Sequence, residues 1–150
     1  SAASDVYKRQ VYEVDDATFA KIKDQFKAGC LSEDEILTTI KTCFNETGYL
    51  LDTHTAIGYG VLKQYQQETG DHTKTVLLST ASPYKFPESV YQAIYGEELD
   101  VYTAIDKLSE KTGVPVPQAL AGIKEREVLH KEAIDKTEII SFIKSEIEAM

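Results

Sequence analysis

The chain is 150 residues long and carries 25 acidic against 16 basic residues, a formal net charge of −9. This acidic balance, without a basic stripe, argues against nucleic acid as a partner, because phosphate backbones are bound by clustered lysine and arginine. No apolar run approaches the roughly 18 residues of a membrane span, and the N-terminus lacks the basic-then-apolar pattern of a secretory signal. Length and composition therefore predict one globular domain in the cytoplasm, with neither a membrane nor a nucleic acid as partner.

The two cysteines, Cys30 and Cys43, are too few for a disulfide framework and lack the spacing of metal ligands. Cys43 shares the apolar face of a predicted helix with Ile40 and Phe44, where a free thiol packs as a small apolar group. We interpret both cysteines as reduced thiols of a cytoplasmic protein, and we predict no metal site.

The first ten residues, SAASDVYKRQ, show no clear periodicity. They are interpreted as a non-native tail, such as a cloning or sequencing remnant, and are left out of the fold prediction. Residues 11–150 are treated as one region.

Helical periodicity, with start and stop signals, recurs along this region. Asp15 or Asp16 caps the first helix and Gly29 ends it, while Ser32 and Glu35 form a capping box for the second. These signals predict helices over 15–28, about 32–46, about 55–69, from Pro87 to before Gly96, over 99–112 and about 117–124, and a last helix capped by Asp135 with Glu138. The second to fifth of these helices are predicted to stop at Gly48, Gly70, Gly96 and Gly113.

Two glycines inside the third predicted helix, Gly58 and Gly60, lower its helix propensity. They indicate either a closely approached backbone or simple sequence drift, and the sequence leaves these alternatives open.

The apolar run Val76-Leu77-Leu78 predicts a strand over 75–79, and Val128-Leu129 is predicted as a second, edge strand. So few strands cannot satisfy their own backbone groups and need ladder partners. Either the fold is essentially helical, or the chain is a piece of a larger α/β protein. We favour the second explanation.

The strand at 75–79 ends in small hydroxyl residues, Ser79 and Thr80, and a proline follows at Pro83. A strand that delivers a hydroxyl to a sheet edge is typical of ligand sites in α/β proteins, although a plain turn after a core strand has the same pattern.

Two segments, TGYLLDTHTAIGYGV at 47–61 and VLLSTASPYKFPESV at 76–90, together resemble the C-terminal region of threonine synthase. The family has a DPHTAVG-like motif and then a strand that ends in STAHP or STASP, followed by KFP. Here Thr53 stands where the family most often has proline. The resemblance continues through KTGVPVPQALAGI and covers roughly residues 12–150.

This resemblance implies a helix-rich C-terminal part of an α/β fold of the tryptophan-synthase-β type, the fold type II pyridoxal-phosphate enzymes. It implies an enzyme that converts O-phospho-L-homoserine and water to L-threonine and phosphate, with pyridoxal 5'-phosphate as the electron sink. Matched motif to motif, Thr80 is the hydroxyl that meets the ring nitrogen of the cofactor, and Ser79 is its support. The alternative for Thr80 is a strand-end hydroxyl that bonds the local backbone.

His54 is a candidate on the substrate side, or else a histidine at a helix start that Asp52 or the backbone holds. His72 and His130 are interpreted as loop or strand-end residues, and Lys85 is not the Schiff-base lysine. The resemblance places that lysine and the glycine-rich phosphate loop upstream, so we expect no catalytic residue in this chain and expect it to be inactive without the remainder of the parent chain. A dehydratase or sulfhydrylase of the same fold, or a non-catalytic acidic helical interaction module, remains an alternative.

Overall fold

The computed structural model describes residues 13–129, 131 and 133–149; the predicted tail at 1–10 and His130 lie outside them. The chain divides between Val116 and Pro117 into two compact units. The first unit contains five helices among its described residues: α1 (Asp16–Gln25), α2 (Glu33–Thr47), α3 (Thr53–Thr69), α4 (Pro87–Tyr95) and α5 (Val101–Thr112). A 3-10 turn (Pro83–Lys85) precedes α4.

The start and stop signals of the middle helices are confirmed. At the start of α2, the Ser32 N–H donates to Glu35 Oε2 over 2.6 Å and the Glu35 N–H donates to Ser32 Oγ over 3.3 Å, which completes the capping box. The backbone and hydroxyl hydrogen bonds from Ser32 lower the pKa of the Glu35 carboxyl. Helices α2 to α5 each end at a glycine in the left-handed conformation, Gly48, Gly70, Gly96 and Gly113.

The core of the first unit lies around α2 and α4, which pack against each other. Helix α3 packs on α2 and helix α5 packs on α4. The spacing i, i+3, i+4 brings Ile40 and Cys43 of α2 inward, and Val90 and Ile94 of α4 follow the same rule. The apolar face predicted for Cys43 is therefore confirmed.

Glycine inside α3 marks a close approach, which decides between the two alternatives. A Cβ built at Gly60 would lie 2.5 Å from Leu31 Cδ1 and 3.2 Å from Thr39 Oγ1. A Cβ at Gly58 would lie 2.9 Å from Leu77 Cδ1. Because neither glycine has a side chain, Leu31 and Thr39 can pack closely against α3 at Gly60, and Leu77 can do so at Gly58.

The first helix is shorter than predicted. Helix α1 ends at Gln25, and Phe26 already has an extended backbone. The expected stop at Gly29 is therefore wrong; a Cβ there would lie 2.8 Å from Val61 Cγ1, so Gly29 serves packing against α3. The apolar side chains Phe19, Ile22 and Phe26 are exposed.

The strand predicted at 75–79 is wrong for this structure, because the described residues contain no strand. The backbone of 75–79 has no ladder partner there, and a lone extended segment cannot form a sheet. Val76 is 84% exposed and Leu78 is 77% exposed, whereas Leu77 is half-buried against Gly58.

The second unit also differs from the prediction. In place of a helix over 117–124 it has turns and a short 3-10 helix, Ile123–Glu125, and Val128-Leu129 is exposed and forms no strand. The last helix, α6 (Ile139–Ala149), forms, but it begins directly after Glu138, so the prediction of Asp135 as its cap is wrong. In the turn before it, the Asp135 N–H donates to Glu138 Oε2 over 3.2 Å. Its stripe of Ile139, Ile143 and Ile147 is exposed. Within the described ranges, no helix is long and apolar enough to cross a bilayer.

In the isolated 150-residue chain, we expect the amides of 75–79 to exchange with solvent hydrogen much faster than those of 104–108 in α5. The reason is that the first segment has no ladder and exposes Val76 and Leu78, whereas Ala104, Ile105 and Leu108 are buried. Hydrogen exchange followed by mass spectrometry or NMR measures both. Equal protection of the two segments would contradict this prediction and indicate a self-contained fold.

The change Gly60→Val should lower the free energy of unfolding by roughly 1–3 kcal/mol, the usual cost of overpacking. Its side chain has to displace Leu31 and Thr39. Glu68→Val, on the exposed side of the same helix, is the matched control and should cost only a few tenths of a kcal/mol from helix propensity. Urea denaturation measures both variants, and similar losses would show that the close approach is unimportant.

Candidate functional site

The two motifs that carry the resemblance, residues 47–61 and 76–90, come into contact where α3 begins. The first motif contains the cap and the first half of α3, and the second forms the irregular segment 76–82, the following 3-10 turn and the start of α4. The side chains of Thr55 and Ser79, 24 residues apart in the sequence, come within hydrogen-bonding distance here. The site is therefore built from a helix start and a segment without regular structure.

Asp52 is the buried cap of α3. It is 1% exposed, and its carboxylate accepts hydrogen bonds from the His54 N–H at 2.9 Å, the Thr55 N–H at 3.2 Å and the Thr55 hydroxyl. A buried carboxylate is costly unless such donors satisfy it, and a helix N-terminus also favours negative charge. The sequence folds this way because aspartate is among the best N-cap residues.

A hydrogen bond between the hydroxyls of Thr55 and Ser79 joins the two motifs, with 3.4 Å between the oxygens. Thr55 is 4% exposed. Its hydroxyl has a single proton, and because the Asp52 carboxylate can only accept, that proton belongs to the bond with Asp52. Ser79 is then the donor to Thr55, so the Asp52 cap determines how Ser79 is held.

A second contact holds the same segment. Leu77 lies against Gly58, one turn along α3 from Thr55. Leu77 and Ser79 thus contact α3, Leu77 half-buried and Ser79 exposed, and this two-residue spacing of the contacts is typical of an extended chain. Val76, Leu78 and Thr80 are exposed as well. The Thr80 hydroxyl makes no hydrogen bond to any residue in the described ranges. It is therefore a neutral group that can donate a hydrogen bond to a ligand, and its neighbour Ser79 is bonded to Thr55.

His54 lies at the same helix start but points outward. Its side chain is 59% exposed, with Nδ1 3.7 Å from Asp52 Oδ1 and 3.3 Å from the Thr53 hydroxyl. Its ring is tilted against Phe86, with 5.0 Å between the ring centroids. Asp52 thus holds the backbone N–H of His54, whereas much of the ring is accessible to a ligand.

The other polar residues of the second motif have local partners. Ser82 Oγ accepts from the Tyr84 N–H over 3.2 Å and caps the 3-10 turn. Lys85 Nζ lies 5.5 Å from the centroid of the Phe86 ring. Within the part of the chain that the structure describes, no group of three or more His, Cys, Asp or Glu residues could hold a metal ion.

Sequence reasoning missed three contributors to this site: the cap role of Asp52, the link through Thr55, and Phe86 beside His54. Two signals could have found the link. Thr55 and Gly58 are three apart on a helix, and Leu77 and Ser79 are two apart on an extended segment, so each pair lies on one face. The contact with Phe86 had no such signal.

Comparison with known proteins gives consistent results. The family described as "Threonine synthase, C-terminal" matches residues 55–141. Threonine synthase of Haemophilus influenzae is 40% identical over 82 residues, 53% of this chain and 18% of that protein. Human threonine synthase-like 1 is 32% identical over 89 residues, 59% of this chain and 12% of that protein.

A solved structure is also similar. The crystal structure of PLP-bound threonine synthase from Brucella melitensis matches 81% of this chain and 22% of its own, with a TM-score of 0.56 and 29% identity. The chain thus spans about an eighth to a fifth of the length of these relatives. Because the family match covers more than half of its residues, the chain belongs to the threonine synthase family, in its C-terminal part.

Proposed function

We propose that this chain is the C-terminal portion of a threonine synthase, an enzyme that converts O-phospho-L-homoserine and water to L-threonine and phosphate. Support comes from the family match over residues 55–141 and from the similarity to bacterial threonine synthases. The Brucella structure contains bound PLP, and we extend that cofactor and the fold type II architecture to the parent protein by this proposal. The helix-rich chain without strands in its described residues suits a partial domain.

The observation that carries this proposal is the available hydroxyl of Thr80. It is exposed and without a hydrogen-bond partner among the described residues, while its neighbour Ser79 is held by Thr55. We assign Thr80 as the hydrogen-bond donor to the ring nitrogen of pyridoxal 5'-phosphate and Ser79 as its support. A pyridine nitrogen needs one donor of this kind, so the residues present fit this edge of the ring.

Bound pyridoxal phosphate supplies an electron sink for substrate carbanions. A neutral hydroxyl can bond the ring nitrogen without requiring its protonation, whereas a carboxylate there would favour the pyridinium form. The nearby carboxylate, Asp52, is committed to three donors at the start of α3. Thr80 therefore provides a neutral contact, and His54, accessible at the same helix start, is the candidate on the substrate side.

The residues of this chain fit only part of a cofactor site. The eight glycines of the sequence do not form a glycine-rich phosphate loop. Lys85 extends its amine over Phe86, 5.5 Å from the ring centroid. We therefore propose that the Schiff-base lysine, the phosphate loop and most substrate contacts belong to the remainder of the parent chain.

A helical interaction module is the second candidate, and one observation favours it. Phe19 and Ile22 of α1, and Phe26 directly after its end, are exposed, as a surface for a protein partner would be. The contact between the two motifs favours the enzymatic proposal over this one. A protein-binding function at α1 does not require Ser79 to be hydrogen-bonded to Thr55 of the buried Asp52 cap.

The purified 150-residue chain, mixed with pyridoxal phosphate, should show no absorption band of lysine-bound cofactor. It should release no phosphate from O-phospho-L-homoserine, because one hydroxyl cannot retain the cofactor. Absorption spectroscopy and a phosphate assay measure the two outcomes. Clear turnover by this chain alone would contradict the assignment of the missing groups to another part of the parent.

In the intact threonine synthase that contains this region, Thr80→Ala should slow turnover about five- to tenfold, the effect of losing one hydrogen bond. Cofactor retention should change less, because the lysine and phosphate loop still hold the ring. Thr80→Asp should be worse than Thr80→Ala, since it demands a protonated ring.

Thr75→Ala is the control for this series, because the Thr75 hydroxyl donates to the Thr73 carbonyl over 2.9 Å in an exposed stretch of the same segment. Steady-state kinetics and cofactor titration measure all three variants. Equal activity of Thr80→Ala, Thr80→Asp and the unaltered enzyme would remove Thr80 from the site.

A further inference from the structure

Three helices of this chain begin with the same local arrangement, an aspartate cap and a threonine three residues later. At α1 the Thr18 N–H and hydroxyl donate to the two oxygens of Asp15 over 2.8 and 2.9 Å. At α5 the Thr103 N–H and hydroxyl donate to Asp100 over 3.2 and 2.5 Å. At α3 the same two groups of Thr55 donate to Asp52.

The α3 cap differs from the other two in burial and in reach. Asp15, Thr18 and Asp100 are exposed and Thr103 is half-buried, whereas Asp52 and Thr55 are both buried. Within the described residues, the hydroxyls of Thr18 and Thr103 bond only inside their own first turn, whereas that of Thr55 also contacts Ser79. Capping a helix does not require burial, so the buried cap has a second consequence, which is the fixed position of Ser79.

We propose that Asp52 and Thr55 are positioning residues for the cofactor contact of Thr80, an inference that rests on the proposed function. Asp52 accepts the hydrogen bond that the Thr55 hydroxyl donates, which leaves the lone pairs of Thr55 Oγ1 free to accept from the Ser79 hydroxyl. Ser79 is thereby held on α3, and Thr80, the next residue, is directed away from it.

The contact of Leu77 with Gly58 completes the positioning. Leu77 and Ser79 contact one face of α3 at two points, and two such contacts oppose both sliding of the segment along the helix and rotation about its own axis. Thr80 follows directly after the second point. Since a displacement of about 1 Å of a group in an active site can cost about 100-fold in rate, this anchoring matters for a contact that consists of a single hydrogen bond.

The test compares four variants in the intact threonine synthase. Thr55→Val keeps the shape of the side chain and loses its hydroxyl, and Thr55→Ser keeps the hydroxyl. Thr103→Val removes the equivalent hydroxyl from the surface cap of α5 and is the matched control. Thr80→Val removes the proposed ring contact itself and tests the proposed function separately.

Two readouts are measured. The first, hydrogen exchange of 77–81 in the cofactor-free protein, is independent of activity. The second is the absorption and fluorescence spectrum of the cofactor, together with kcat and KM.

We expect Thr55→Val to speed exchange of 77–81 at least tenfold, to shift the cofactor spectrum in the direction produced by Thr80→Val, and to lower kcat about tenfold with little change in KM. Thr55→Ser should restore all three properties. Thr103→Val should change none of them, although it removes the same bond within a cap.

Equal effects of Thr55→Val and Thr103→Val would overturn the inference, because the effect would then be general loss of a helix cap. The inference is also overturned if exchange of 77–81 is unchanged in Thr55→Val. If Thr80→Val leaves spectrum and kcat unaltered, the proposed ring contact fails. Faster exchange in Thr55→Val would then still uphold the anchoring of 77–81.

Discussion

The buried carboxylate of Asp52 is the constraint on which this region of the molecule depends. It is placed by the short connection from α2, in which Leu50 and Leu51 are also buried, and it has to be satisfied where it lies. The backbone of the next turn and the hydroxyl of Thr55 provide the donors. One interaction therefore starts α3, fixes the path of the chain into it, and orients the hydroxyl that reaches Ser79.

Helix α3 transmits this constraint because it is held on two sides. At about 100° per residue, Gly58 and Gly60 point in nearly opposite directions from the helix axis. Gly60 accepts Leu31 and Thr39 on the side of α2, and Gly58 accepts Leu77 on the other side. The core of α2 and α4 thus positions α3, and α3 in turn positions the segment that carries Ser79 and Thr80. The low helix propensity of these glycines is the cost of that arrangement.

Much of the helical framework could be predicted from the sequence because its signals are local. Ser32 with Glu35, Asp15 and the four glycine stops each act within one turn of the chain. The strand at 75–79 could not be predicted in this way, since a ladder depends on partners that no local pattern specifies. The contact between Thr55 and Ser79 joins residues 24 apart in the sequence, so no local pattern predicted it either. The spacing of Thr55 with Gly58, and of Leu77 with Ser79, did indicate that each pair shares a face. The helix stop predicted at Gly29 was wrong because glycine is favoured both at helix ends and where another side chain, here Val61, packs closely.

The exposed side of segment 76–80 connects the fold to the proposed chemistry. Val76, Leu78 and Thr80 are exposed and alternate with Leu77 and Ser79, which contact α3, so an extended chain places two apolar side chains and the available hydroxyl on one surface. Apolar side chains exposed to this extent are stabilised when another surface covers them. If Thr80 contacts the cofactor ring as proposed, whatever covers Val76 and Leu78 must also form the adjacent wall of the cofactor site. Completing the hydrophobic core and enclosing the ring would then depend on the same packing event.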